Sequence, residues 1–194
     1  MVPALKSVVV SKVRFMLFCT LKATLAAIDD LISKGFDITP IFSFNVKNLD
    51  TRFFKADDFR QAVEEKTGKK IICTLQDAEP IAKANLDAVL VLPCTGNTLA
   101  KIANGITDTP VTLAVKAELR NNRPVVIALS SNDALGANAK NVGLLTNTKN
   151  VFFVPLRQDA PSEKPNSMVA DFSLTAETLN AAIDGGKQYQ PRYV

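Results

Sequence analysis

Leu86-Asp87-Ala88-Val89-Leu90-Val91-Leu92, followed at once by Pro93-Cys94-Thr95-Gly96-Asn97-Thr98, is the stretch on which the fold turns. Only Asp87 interrupts the apolar character of the first seven residues. A strand with one wet face alternates apolar and polar residues, whereas strands of a parallel sheet are buried on both faces and read as continuous apolar runs. Pro93 cannot donate a ladder hydrogen bond, so the strand ends there. The small residues after it turn the chain into a helix over 95–106, with Thr95 or Asn97 as its cap. An apolar strand passing directly into a helix predicts one β-α unit of a parallel sheet.

The same alternation continues outward on both sides. Toward the N-terminus, residues 7–18 are rich in Val and Phe and read as a buried strand. Leu21, Leu25, Ile28, Leu31 and Ile32 recur at helical spacing over 21–34, and Gly35 stops that helix. Residues 36–42 are a second strand, 56–67 a helix closed by Gly68, 70–74 a short strand and 77–84 a short helix. Toward the C-terminus, Gly105, Asp108 and Pro110 make a helix-to-helix turn, with a helix over 110–120. Then come a strand at 124–129, a helix with glycines over 133–146, a strand at 151–155 and a last helix over 174–183. A long polar loop, 157–171, lies between those two; loops of that length are often functional. The expected architecture is a single domain over 1–194, α/β, three-layered and doubly wound around a mostly parallel sheet. No internal repeat or low-complexity tract interrupts it.

In such sheets ligands bind beyond the carboxyl ends of the strands. The segments to inspect are therefore 18–21, 43–53, 93–98, 130–133 and 155–169. Pro93 to Thr98 has two readings: an ordinary helix cap, or a turn whose small residues and free N–H groups let a planar or anionic ligand approach. Ser43-Phe44-Asn45 with Arg52 is either a solvated loop or a polar wall in which Arg52 clamps a carboxylate or phosphate. Cys94 at a helix start could act as a nucleophile, but without a histidine partner a buried small residue is the simpler reading. Residues 15–20, Phe-Met-Leu-Phe-Cys-Thr, follow the first strand with no glycine, which is poor chemistry for cradling a phosphate.

The composition narrows the function. The 194 residues contain no histidine, so Ser-His-Asp and Cys-His chemistry and histidine-ligated metal sites are excluded. Three cysteines, Cys19, Cys73 and Cys94, show no metal-like spacing, and free thiols in a reducing cytoplasm are expected. The net charge of +4 is scattered, and Lys69-Lys70 is a pair and not a patch, so no nucleic-acid partner is expected. No apolar run is long enough for a membrane span. Lys12 and Arg14 break the apolar stretch 8–17, which argues for a strand there and against a signal peptide.

Several blocks resemble the family of the dipicolinate synthase B subunit in register over about 20–185. They are Leu92 to Pro110, Ser43-Phe44-Asn45-Val46, Asp50-Thr51-Arg52-Phe53, Arg120 to Val126, Ser131-Asn132-Asp133-Ala134-Leu135-Gly136 and Lys164-Pro165-Asn166-Ser167-Met168-Val169-Ala170. That family sits in a flavoprotein superfamily with flavin-dependent cysteine decarboxylases, in which a Pro-Ala-Ser-Ala-Asn-Thr turn lies against the flavin; Pro93 to Thr98 matches it with changed middle residues. The resemblance implies a Rossmann-like fold, FMN as cofactor, and contacts from Cys19, Thr20, Ser43, Asn45, Pro93, Cys94, Thr95, Gly96, Asn97 and Thr98. It implies a small dicarboxylate substrate, for which Arg52 and Asn97 are the candidates. It also implies an oligomer with the dipicolinate synthase A subunit, which carries NADP, and oxidation of a dihydrodipicolinate-type precursor in the cytoplasm of a sporulating mother cell. The alternatives are a flavin-dependent decarboxylase and a non-catalytic assembly subunit. The decarboxylases' catalytic histidine has no counterpart here. One departure is local: relatives carry a Thr-Gly-Ser-His-Cys-Thr type of phosphate loop where this chain has residues 15–20, and only Cys19 and Thr20 match. Two origins fit, a genuine divergence or a local reading-frame error; either predicts weakened FMN binding.

Overall fold

The computed structural model describes residues 6–12, 18–44, 56–84 and 86–194; for 6–12, 18–22 and 82 the description is of the backbone alone. Five parallel strands form the sheet: β1 (Lys6–Lys12), β2 (Phe36–Phe42), β3 (Ala88–Cys94), β4 (Val125–Ser131) and β5 (Val151–Phe153), in the order β2-β1-β3-β4-β5. Every residue of β3 is buried, as its unbroken apolar run predicts for the central strand. The first half of β4 pairs with β5; beyond it, Ser130 and Ser131 pair antiparallel with β7 (Met168–Ala170), which in turn pairs with β6 (Leu156–Gln158).

The helices are α1 (Phe18–Ser33), α2 (Ala56–Thr67), α3 (Leu75–Ala78) with a 3-10 turn at Glu79–Lys83, α4 (Gly96–Ala103), α5 (Pro110–Arg120), α6 (Ala139–Thr146) and α7 (Thr175–Gly185). α1 and α7 pack together on one face of the sheet; α5 packs on the other, joined by α3 and α4, with α6 against β5. Helices on both faces are the outcome of right-handed crossovers that leave the middle of the sheet in opposite directions. Leu31, Ile41, Leu90, Ile127 and Leu179, all fully buried, mark the two apolar layers. Local chemistry sets the helix ends. Thr109 caps α5, accepting from the Thr112 N–H while the Thr112 hydroxyl accepts from the Thr109 N–H, with Pro110 in the first turn. Gly105 adopts φ +68° just after α4, a left-handed conformation that closes the helix.

β1 is followed by a crossover to β2 on its left, and β3 by one to β4 on its right. The crevice between the carboxyl ends of β1 and β3 is therefore the topological switch point of this sheet.

Four expectations are corrected. The described first strand is Lys6–Lys12, and Phe18 already lies in α1 instead of at the end of an extended segment. Residues 70–74 form no strand; Ile72 makes a single parallel bridge to Ile41, because the chain touches the sheet edge only in passing. Residues 133–138 are turns, so the helix expected from 133 begins at Ala139. The long polar loop 157–171 carries the β6–β7 hairpin, whose alternation is too short to stand out in sequence.

Candidate functional site

The Thr95–Thr98 turn is built by the end of β3. Cys94 closes that strand and is fully buried, and Thr95 becomes the N-cap of α4. The Thr98 N–H donates to Thr95 Oγ1 at 3.4 Å, and the Leu99 N–H donates to Thr95 O at 2.9 Å, the first bond of the helix. Thr95, Gly96 and Thr98 are buried, while Asn97 is exposed at the carboxyl edge of the sheet. Burial pushes the Cys94 thiol far above its ordinary value, so the group stays protonated and packs as a small apolar side chain. The helix N-terminus beside it does not offset that desolvation.

Ser43 follows β2 directly, and β2 and β3 flank β1 in one parallel sheet, so Ser43 and the Thr95–Asn97 turn share the same edge. Ser43 Oγ is buried and has no hydrogen-bond partner among the described residues. A buried unpaired hydroxyl is costly, and at a strand exit beside the switch point it suits a polar ligand atom. Asn45 and Arg52 lie outside the described residues, as do the side chains of Cys19 and Thr20. The backbone of Cys19 and Thr20 falls in the first turn of α1, which begins beyond β1 with no acidic residue near its N-terminus.

The β4 exit, one of the strand exits expected to face a ligand, carries a polar cluster whose residues were not among the expected contacts. Ser131 Oγ donates to Asp133 Oδ1 at 2.6 Å, and Asn138 Nδ2 donates to both Asp133 oxygens at 3.0 and 2.9 Å. Asn141 Nδ2 in turn donates to Asn138 Oδ1 at 2.8 Å. The hairpin seals this end: the Leu135 N–H donates to Asn166 O at 3.0 Å, and Ser167 Oγ donates to Asn132 Oδ1 at 3.4 Å. The signal was a strand exit bearing Ser131, Asn132 and Asp133 in succession. Asn138 was hidden because a helix expected from 133 puts residues 133 and 138 on different faces. Among the described residues, no group of three or more metal-ligating side chains converges.

A family model described as Flavoprotein matches residues 10–180. The chain is 44% identical over 166 residues to the dipicolinate synthase B subunit of Bacillus subtilis (strain 168), covering 85% of this chain and 83% of that protein. The chain belongs to the flavoprotein family, among the relatives of the dipicolinate synthase B subunit. The crystal structure of the corresponding B subunit from Bacillus halodurans C superposes on it with a TM-score of 0.87 and 38% identity, over 97% of this chain and 96% of that one. The FMN-dependent cysteine decarboxylase SpaF shares the fold at a TM-score of 0.66 and 23% identity, over 92% of this chain and 97% of that one. Both the fold and the family expected from the sequence are thus found. In this family member the edge that carries Ser43, Thr95 and Asn97 is also where the β1 and β3 exits meet.

Proposed function

We propose that this chain acts as the B subunit of dipicolinate synthase, working with the A subunit to oxidise a dihydrodipicolinate-type precursor to dipicolinic acid in the cytoplasm of a sporulating cell. The observation that carries this is the 44% identity spread over more than four-fifths of both proteins. NADP belongs to the A subunit in this reading, and this chain supplies the second wall of the site. A dicarboxylate needs N–H donors or cations; Asn97, the first turn of α4 and Arg52 supply that chemistry.

FMN fits the described part of the crevice. The enclosed hydroxyl of Ser43 and the donors of the Thr95–Thr98 turn are of the kind that hold the polar rim of a planar ring; the phosphate would face the start of α1, where the glycine-free segment 15–20 weakens its hold. When bound, FMN supplies a two-electron acceptor. Thr95 fixes the turn, Asn97 presents its amide to solvent and ligand, and Cys94 excludes water beneath them. A second reading, a non-catalytic assembly subunit, is favoured by the glycine-free segment 15–20. The decarboxylase alternative is consistent with the shared fold of SpaF, but would need a proton-transfer group in place of the missing histidine.

The experiment is reconstitution of the purified chain with the A subunit, NADP and freshly generated precursor, following dipicolinate by absorbance. Product formation that requires both chains is expected. Equal rates when this chain is omitted would overturn the catalytic role, and a gain only in the thermal stability of the A subunit would select the assembly reading.

A further inference from the structure

Gly96, the first residue of α4, lies hard against the polar cluster at the β4 exit. A Cβ built there would sit 2.6 Å from Asn138 Nδ2, 2.6 Å from Ser131 Oγ and 3.0 Å from Asp133 Oδ1. None of these atoms is the loose end of a flexible side chain. Ser131 and Asn138 are both tied to the Asp133 carboxylate, and Asn138 is held from behind by Asn141 of α6. The cluster therefore cannot retreat without breaking its own hydrogen bonds. Asp133 also stands at the positive end of α4, where a carboxylate is favoured. The exits of neighbouring parallel strands β3 and β4 thus pack directly together, with the bare Gly96 against the hydrogen-bonded cluster of Asp133.

We propose that Asp133, with Ser131 and Asn138, is a positioning unit that sets where the Thr95–Thr98 turn stands over the crevice, and that Gly96 is the residue whose missing side chain lets the clamp close. The role of that turn as a ligand wall rests on the function proposed above; the clamp itself does not. Asp133 touches no reacting atom here and acts through the backbone of α4. The bonds that report on it are those of the Thr98 and Leu99 amides back to Thr95.

Two readouts separate the clamp from the proposed function. The first is amide hydrogen exchange of the ligand-free full chain, comparing wild type with Asp133→Asn and Gly96→Ala. Exchange at Thr98 and Leu99 is expected to quicken about tenfold or more in both, with the β3 amides of Val89 and Leu90 unchanged as the control for global loosening. Gly96→Ala is then repeated in a Ser131→Ala/Asn138→Ala background, which removes the colliding Oγ and Nδ2 atoms. There the alanine is expected to add little, a coupling that a merely destabilising substitution does not show. The second readout is FMN titration of the same variants by flavin fluorescence, with weaker binding in Asp133→Asn and in Gly96→Ala. Unchanged exchange at Thr98 and Leu99, or an equal effect of Gly96→Ala in both backgrounds, overturns the clamp. If wild type binds no FMN, the cofactor reading fails while the exchange data still decide the clamp.

Discussion

Glu118, in the last turn of α5, is fully buried, and neither carboxylate oxygen accepts a hydrogen bond from the described residues. Its ion-pair partner is Arg123, whose Nη1 lies 3.5 Å from Glu118 Oε2 and is itself occupied donating to Ala84 O at 2.7 Å and Leu86 O at 3.0 Å. Desolvation therefore raises the Glu118 carboxyl above 4.5, and the Arg123 charge only partly opposes it. A raised folded-state value means that the fold prefers the protonated form. That contribution is present below the ordinary carboxylate value and is lost as pH climbs through the raised one. Glu118→Gln is thus expected to gain thermal stability over wild type at about pH 8 and to show little gain at about pH 4. Thermal melts at the two pH values check it, and a gain that grows toward acid would contradict it. Glu64 has the opposite sign. The Ile71 N–H and Lys70 Nζ hold its carboxylate below the usual range, so its contribution fades as pH falls. Cys94 gives a second residue-scale prediction. Iodoacetamide should label the partly exposed Cys73 in the folded chain and leave Cys94 unmodified until the chain is unfolded, as peptide mass analysis would show. Labelling of Cys94 at the same rate as Cys73 would mean that the turn is open. At this scale the sequence exposed Cys94 and Gly96 as small residues in a tight turn. Glu118 was not legible, because a glutamate in an amphipathic helix reads as solvent-facing until its neighbours are known.

At the scale of elements, β5 is three residues long and, among the described residues, has a strand, β4, on one side only. Its outer edge is met by the chain after α7. The Phe153 N–H donates to Gln188 Oε1 at 2.8 Å and Gln188 Nε2 donates to Phe153 O at 2.6 Å, so one side-chain amide stands in for a neighbouring strand. Farther on, the Leu156 N–H donates to Arg192 O at 2.9 Å and the Val194 N–H donates to Leu156 O at 3.0 Å. An uncovered edge is a template for unwanted pairing. Gln188→Ala leaves both Phe153 groups unpaired and is expected to cost about 1–3 kcal/mol, measured by urea unfolding. No loss, with native solubility, would show that water replaces the amide freely. Thr109→Ala removes the α5 cap and should cost about 1 kcal/mol by the same measurement. β2, α2 and α5 were readable to the residue because each carries its own boundary: a period-two or helical pattern with Gly68 after α2 and Pro110 in the first turn of α5. The β6–β7 hairpin and the Gln188 clamp were not readable, since each depends on a partner distant in the chain.

At the scale of the whole molecule, the strand order β2-β1-β3-β4-β5 places the exits of β1, β2 and β3 on one edge. The apolar β3 run and the alternation of strand and helix were enough to anticipate that edge, and the blocks in register with the dipicolinate synthase B subunit were enough to anticipate the family. The resemblance also implies a glycine-containing loop where this chain has Phe15-Met16-Leu17-Phe18-Cys19-Thr20, without a glycine. A phosphate dianion needs several converging N–H groups, and glycine reaches the required backbone conformations without steric penalty. Each lost charge-assisted bond costs about 1.5–3 kcal/mol, so losing two weakens FMN binding by roughly two to four orders of magnitude. The proposed flavin site lies at the β1/β3 crevice, weakened at its phosphate end. The most direct test is titration of FMN, read by flavin fluorescence, into this chain and into a variant carrying Phe15→Thr, Met16→Gly and Leu17→Ser. The account predicts weak binding by the first and affinity restored by a factor of about a hundred or more in the second. Equal, tight binding by both would place the phosphate elsewhere and contradict it.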